Sequence, residues 1–442
     1  MRTVSSYGVE LRKQNIPIRQ TLDIYRSAVS CLIEIYAQIW DELAVITEPK
    51  KRFNTAEHLV HTTKKNQARF DFDLRFPKMP SYLRRAAIQH ALGSVSSYKT
   101  RMELWKKTDQ KGGRPKLVCD NHAMPVFYRD VMYREDTEEK DGACLKLYDG
   151  HDWKWFCAGL LHTDMEYLRR HWSGKKSSAP VLEKRHQKYF LRFSYTEEVT
   201  LSKTPIEDQI ICSVDLGINT DAVCSIMRSD GAVLDRKFIN FPSEKDRLSH
   251  VLGRIRRFQK EHSSKQIGSR WAYAKRLNTE LARKTARSIA EYAHENHADV
   301  IVFEYLEMKG KISGKKRQKL HLWKKREIQT MCEHKAHRYG IRVSRVCAWN
   351  TSRLAYDGSG PVSRDPKNHS LCVFQSGKQY NCDLSASYNI GARYWIREII
   401  KTLPETERSS LEAKVPAVER RTSCVYADLL ILKNEYGCSK AA

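Results

Sequence analysis

The chain has 442 residues, 41% of them apolar, which is enough to bury cores for two to four domains. Its 78 Lys and Arg against 52 Asp and Glu leave a formal net charge of +26, a surplus that repels itself in a compact protein unless a polyanion lies among the cations. Nucleic acid is therefore the first partner to consider, and small-metabolite chemistry drops in rank. No stretch approaches the roughly 18 consecutive apolar residues of a membrane span. The opening Met1–Tyr7 runs into charge with no signal-peptide core, so a cytoplasmic protein is expected.

Residues 1–16 read as an extended segment ending at Pro17. From Thr21 to Ile46, Tyr25, Val29, Leu32, Tyr36, Ile39 and Leu43 fall at alternating spacings of four and three, which predicts one long helix face. A second helix is expected after Pro80, with Leu83, Ala87, Ile88, Leu92, Val95 and Met102 inside and Arg84, Arg85, Lys99 and Arg101 on the other side. Beyond Gly112-Gly113-Arg114-Pro115-Lys116 come short apolar runs broken by polar turns, as in a β-rich domain. Its clearest strand is Lys188 to Tyr195, and the preceding stretch from His171 to His186 reads as an exposed loop.

From Asp208 the texture is strands, helices, strand, helix. Gln209–Ile218, Ala222–Met227 and Val233–Phe241 predict three consecutive strands, and Ser243–Asn296 predicts basic helices. Ala298–Phe303 is a continuous apolar run suited to a strand buried on both faces. Ile341–Val346 adds a strand and Leu384–Ile400 an amphipathic helix. A three-strand meander, a crossover helix and further parallel strands are what a ribonuclease H-like α/β core requires.

Three acids sit where buried elements begin or end. Asp215 interrupts Ile210–Val214, Glu304 follows Val300–Phe303, and Asp383 precedes the helix Leu384–Ile400. Alone, each has an ordinary reading: a turn, a strand's exit to solvent, a helix N-cap. Together, on a chain this basic, they point to phosphodiester chemistry. Buried carboxylates are costly unless they share cations, and Mg²⁺ takes hard oxygen ligands. Two such ions about 4 Å apart activate a water and stabilise the leaving oxygen of a phosphodiester.

Val214-Asp215-Leu216-Gly217-Ile218-Asn219, Ile301-Val302-Phe303-Glu304-Tyr305-Leu306 and Asp383–Ile390 resemble the three RuvC motifs of TnpB and of the compact type V CRISPR effectors. His334–Val343 followed by Asn350-Thr351-Ser352 is similar to the family's run between motifs two and three. The resemblance is specific from about Asp208 to Ile396 and architectural before that. It implies a multidomain α+β protein: a first wedge strand (1–16), a helical recognition domain (17–111), a β-barrel wedge domain (112–205), a RuvC nuclease domain (206–346), a ribbon-like target-nucleic-acid-binding insert (347–382), and the RuvC C-terminal helix and tail (383–442). It further implies an RNA-guided DNA endonuclease, transposon-associated or CRISPR-derived, that binds guide RNA, recognises a short duplex motif beside its target and holds two Mg²⁺ on Asp215, Glu304 and Asp383.

The chain departs from the family pattern twice. The family's zinc ribbon carries paired C-x-x-C motifs, whereas Ala355 and Gly358 stand where the first pair belongs and Ser376 takes one position of the second. Cys347, Cys372 and Cys382 remain nearby, but no two of the 12 cysteines form C-x-x-C. The scatter of the cysteines through a long, unsecreted chain argues against a disulfide framework, and the missing C-x-x-C pairs predict a ribbon-shaped segment without zinc. Ser385 replaces the usual Asn two residues after the third acid; Ser385 and Asn389 are expected to hydrogen-bond behind the acids.

Between Lys309 and Arg326 nine residues are basic and none is acidic, including Lys315, Lys316, Arg317, Lys324, Lys325 and Arg326. Placed just after Glu304, this run suits a phosphate chain entering the cleft, or else a solubilising loop. Arg254, Arg256 and Arg257 near Phe258, and Arg270, Lys275 and Arg276 around Trp271, interleave cations with aromatics. Such interleaving suits single strands or an RNA–DNA heteroduplex, although on helices Trp271 and Phe258 also fit a core. Two other readings stay open: an RNA-guided DNA-binding protein that does not cleave, and an RNA-independent resolvase or transposase.

Overall fold

In the computed structural model the described residues are 1–12, 15–108, 110, 112–118, 122–185, 187–261, 267–306, 322–365, 368, 370–419 and 423–441. The chain divides into two compact units, Arg2–Glu197 and Glu198–Ala442, the latter joined by Met1.

The first unit opens with β1 (Arg2–Glu10), then α1 (Ile18–Gln38), α2 (Trp40–Ala44), α3 (Pro49–Val60), α4 (Phe72–Arg75) and α5 (Ser81–Lys107). The expected helix over 21–46 is broken at Ile39, whose amide turns back to the Ile35 carbonyl as a C-cap, and α2 restarts at Trp40. Helix α5 begins after Pro80 as its first-turn proline predicts, and Leu83, Ala87, Ile88 and Val95 are buried. Arg84, on the side opposite those residues, is also buried, with Glu57 3.9 Å away.

Strands β2 (Tyr133–Glu135), β3 (Gly142–Tyr148) and β4 (Trp153–Gly159), helix α6 (His162–Trp172), β5 (Val181–Arg185) and β6 (Lys188–Glu198) complete the unit. They form two three-stranded sheets, β1-β6-β5 and β2-β3-β4. A closed barrel is not found among the described residues, which corrects the expected β-barrel wedge. The stretch from His171 is likewise not all loop, since β5 pairs antiparallel with β6 inside it. Cys144 and Cys157 stand opposite each other across β3 and β4 and are disulfide-bonded, contrary to the expectation from cysteine scatter. Cross-strand proximity, invisible in the spacing of 13 residues, brings them together.

The second unit is built on a five-stranded sheet of order β11-β10-β7-β8-β9. Strands β7 (Ile210–Asp215), β8 (Ala222–Arg228) and β9 (Val233–Ile239) form an antiparallel meander. Helices α7 (Pro242–Glu261) and α8 (Gly268–Glu295) follow. Then β10 (Val300–Tyr305) runs parallel to β7, and β11 (Arg342–Cys347) runs parallel to β10 after helix α9 (Lys325–Arg338). A small sheet of β12 (Ser363–Arg364), β13 (Leu371–Val373) and β14 (Gln379–Asn381) precedes α10 (Cys382–Thr402). Helices α11 (Glu405–Lys414), α12 (Pro416–Glu419) and α13 (Tyr426–Ala441) end the unit.

Side-chain alternation explains the unbroken apolar runs of β7 and β10. Ile211, Val300 and Val302 pack with Tyr388, Trp395 and Ile396 of α10 on one face. Cys212, Val214, Ile301 and Phe303 pack with Ala286, Ile289 and Ala293 of α8 and Cys332 of α9 on the other. Helix α10 lies close: a Cβ at Gly391 would come within 2.4 Å of the Met227 sulfur and 3.3 Å of the Ser213 Cβ. Ser225 and Ser387 share a 2.6 Å hydrogen bond between the same two layers.

Candidate active site

The same alternation aims the acids. Asp215 shares a face with Ile211, and Glu304 with Val300 and Val302, so both carboxylates turn toward α10. The parallel register pairs Val214 with Phe303, so the next step along the strands sets Asp215 beside Glu304. Asp383 lies in the first turn of α10. It is not the N-cap that its sequence position alone allows. Asn381 caps the helix instead, its side chain accepting from the Leu384 amide at 2.9 Å, which leaves the Asp383 carboxylate free for the sheet. At the intervening turn, a Cβ at Gly217 would stand 2.5 Å from the Thr220 carbonyl oxygen and 3.8 Å from an Asp383 oxygen. The turn therefore closes against Asp383 only with glycine there.

The electrostatics centre on Asp215. It is 7% exposed, and its pKa is pushed well up, by burial first and then by the charges of Glu304 and Asp383, with Arg364 opposing. Glu304, equally buried, is raised by desolvation while Thr351, Arg393 and Lys325 pull it down. Burial likewise raises Asp383, against the Arg364 cation. The three acids do not all come within 4.8 Å of one another. The charges of Glu304 and Asp383 both reach Asp215.

Glu304 is held from behind. The Thr351 hydroxyl donates to its carboxylate, and the Gln329 amide donates to its carbonyl at 2.8 Å. Asn389, in turn, donates to the Thr351 and Leu354 carbonyls at 2.9 and 3.0 Å, fixing the Asn350–Ser352 turn. Ser385 accepts from the Tyr356 amide at 3.2 Å and so braces the neighbouring segment. Sequence reasoning missed Arg364, Arg393 and Lys325's proximity to Glu304. Arg364 sits in a two-residue strand with no periodicity, and Arg393 lies inside a helix where a cation carries no local signal.

Three hard oxygen donors, two buried and one half-buried, all with raised pKa values, fit divalent cations that would hold them ionised. The ribbon-like segment differs. Cys372 and Cys382 hydrogen-bond each other in a cluster with Ala355 and Phe374, and burial pushes the Cys372 thiol up to about 12. No third ligand atom joins them within 4.8 Å among the described residues, and Cys347 is exposed.

Arg254, Arg256 and Arg257 are exposed on α7, as are Arg270, Lys275 and Arg276 on α8. Trp271 and Phe258 pack half-buried against Leu252, Ile255 and Ala274 between these helices. Arg256 and Lys324 line a cavity of about 380 Å³ that also touches Gly217 and Asn219, just beyond Asp215. Lys324 bonds Thr279 at 2.6 Å, Lys325 is buried, and Arg326 is exposed. Lys315, Lys316 and Arg317 lie outside the described residues.

Residues 326–390 match the family model of the Cas12f1-like TNB domain. Solved structures share the architecture. A Cas12f1–sgRNA–target DNA complex is 16% identical, with TM-score 0.51, covering 84% of this chain and 80% of that one. The mini-RNA-guided endonuclease CRISPR-Cas_phi3 is 11% identical, TM-score 0.51, covering 88% and 92%. CasPhi-2 (Cas12j) bound to crRNA is 12% identical, TM-score 0.50, covering 88% and 97%. The chain has the fold of a compact type V effector and carries a Cas12f1-like TNB domain. Within this effector fold, residues 5–149 also match the Aq_aa04 family. No curated protein matches the chain in sequence. Among the described residues no helix is long and apolar enough to cross a membrane.

Proposed function

We propose that this chain is an RNA-guided DNA endonuclease that cleaves target DNA at one RuvC site built from Asp215, Glu304 and Asp383. The observation that carries the reading is the meeting of the buried Asp215 and Glu304 with the half-buried Asp383 on the α10 face of the sheet. The strand order β11-β10-β7-β8-β9, with β8 alone antiparallel to both its neighbours and β10 and β11 parallel to β7, supports a ribonuclease H-like core around them. In this reading residues 206–346 and 383–442 form the nuclease domain and 347–382 its target-binding insert. Residues 17–111 form a helical recognition domain between the wedge segments 1–16 and 112–205. Guide RNA and target DNA are the partners, in keeping with the similar solved complexes and with a charge of +26.

A pair of Mg²⁺ ions, when bound, would supply Lewis-acid activation of water and neutralise charge on the leaving oxygen. Asp215, Glu304 and Asp383 would hold them. Thr351 fixes the direction of the Glu304 carboxylate. Arg364, whose charge reaches both Asp215 and Asp383, is placed to draw the scissile phosphate against them. The exposed cations of α7 and α8 would hold the phosphate backbone, and base pairing would read the sequence.

The test is a supercoiled-plasmid assay with the chain, its co-purifying RNA after sequencing, a matched target and Mg²⁺. Cleavage that vanishes with Asp215→Ala and with ribonuclease treatment is the expected result. Cutting that survives ribonuclease would make the protein an RNA-independent nuclease. Target binding without any cutting would make it a binding protein only.

A further inference from the structure

On the surface of the first unit, α3 and α5 enclose a cavity of about 690 Å³, within the range that holds small organic ligands. Its lining is unusual for a surface cleft. Trp40, Phe53, Tyr82 and Tyr128 line it, together with Lys50, Arg52 and Arg85, and no carboxylate does among the described residues. The guanidinium of Arg52 lies 5.9 Å from the Trp40 ring centre, and that of Arg85 5.1 Å from Phe53. Tyr82, 40% exposed, leans on Tyr128 with centroids 4.8 Å apart. Arg85 keeps one acid, Glu57, 3.6 Å from its Nε, and that acid is not among the residues lining the cavity.

The floor continues. Gln89 and Gly93 of α5 are shared with a second cavity, of about 550 Å³, which Arg101 and Lys116 line without an acid among its described residues. Glycine inside a 27-residue helix costs about 1 kcal/mol relative to alanine. A Cβ at Gly93 would meet nothing within 4 Å, so the packing of the unit does not require glycine there.

We infer that this groove is a binding site for an unpaired nucleobase and its flanking phosphates. The inference rests on the nucleic-acid-guided reading above and deepens it by assigning a single-strand site to the helical part of the first unit. Ring faces attract ligands that have flat faces of their own, and bases expose theirs only when unpaired. A duplex would offer the cations its phosphates but leave the rings unused. An acidic peptide would do the same. Lys50, Arg52 and Arg85 neutralise the backbone on either side of the stacked base, and Arg101 and Lys116 extend the track along α5.

The experiment uses the RNA-free full-length chain in EDTA, so that no cleavage intervenes. Three fluorescent decamers serve as probes: uridine, thymidine, and an abasic deoxyribose phosphate of equal charge. Base-bearing decamers should bind roughly tenfold or more tightly than the abasic one. Tyr82→Ala should erase that difference, and Tyr82→Phe, which keeps the ring, should retain it. Photo-crosslinking with 5-iodouracil-substituted decamers should label peptides that contain Trp40, Phe53 or Tyr82. A tighter uridine arm would name RNA as the occupant, and a tighter thymidine arm a DNA strand. Equal binding of the abasic probe, an unchanged Tyr82→Ala variant, or crosslinks confined to other segments would each overturn the assignment. Loss of plasmid cutting with these crosslinks intact would strike the nuclease reading alone. Intact cutting without them would strike only this site.

Discussion

The carboxylate centre of the second unit and the cationic groove of the first solve opposite problems. One gathers like charges out of water, where each raises the cost of the others. The other spreads cations and rings along solvent, where each group is cheap to maintain. Buried acids need a counter-ion to be tolerated, so their presence is strong evidence of chemistry. Exposed cations need nothing, and only the aromatic company of Arg52 and Arg85 distinguishes them from an ordinary solvated surface.

The sharpest way to break the comparison is to neutralise its centre. Asp215→Ala should lower plasmid cleavage by about 1,000-fold or more, the scale of several kcal/mol that metal-ion catalysis supplies, with RNA binding retained in a filter assay. Thr351→Val removes the hydroxyl that steers Glu304 and should cost roughly 10- to 100-fold in cleavage, with a matching rise in the Mg²⁺ concentration for half-maximal rate. An unchanged Mg²⁺ dependence would show that Thr351 merely braces the turn.

A third test reads the buried repulsion directly. The folded-state pKa of Asp215 is raised, so without divalent ions its favourable contribution is present below the ordinary carboxyl range and is lost as pH rises through the raised value. Asp215→Asn escapes that loss. In urea melts with EDTA the variant should gain on the wild type progressively as pH rises above the ordinary carboxyl range. A pH-independent difference would mean that the acids do not repel one another. The smallest effect belongs to the exposed groove. Arg85→Ala should reduce the slope of log affinity against log salt for the uridine decamer by about 0.7, one single-strand phosphate's worth.

Legibility in the sequence followed the same divide. The apolar run Ala298–Phe303 foretold a strand buried on both faces, and the three acids pointed to a site only when taken together on so basic a chain. The Asn350–Ser352 segment was recognised without its purpose, which emerged only when Thr351 was found donating to Glu304. Lys325 read as one of nine clustered cations, yet it is buried with its charge near Glu304, a position set by where α9 begins. Arg84, set opposite the apolar side of α5 in the sequence, is buried, with Glu57 of α3 3.9 Å away. The barrel was expected by analogy alone; six strands form two three-stranded sheets, joined where Leu11 beyond β1 bridges Leu160 beyond β4.

What the sequence by itself determined is the alternation that turns Asp215 and Glu304 to one side of a sheet, since parity along a strand is a local property of the backbone. It also determined the excess positive charge that demands a polyanion. Only the tertiary structure decided which residue caps α10, which cations face the acids, which cysteines meet across β3 and β4, and that four rings and three cations from four segments share one groove. Those outcomes depend on how separate elements pack, and no window of sequence contains both partners of a contact made between them.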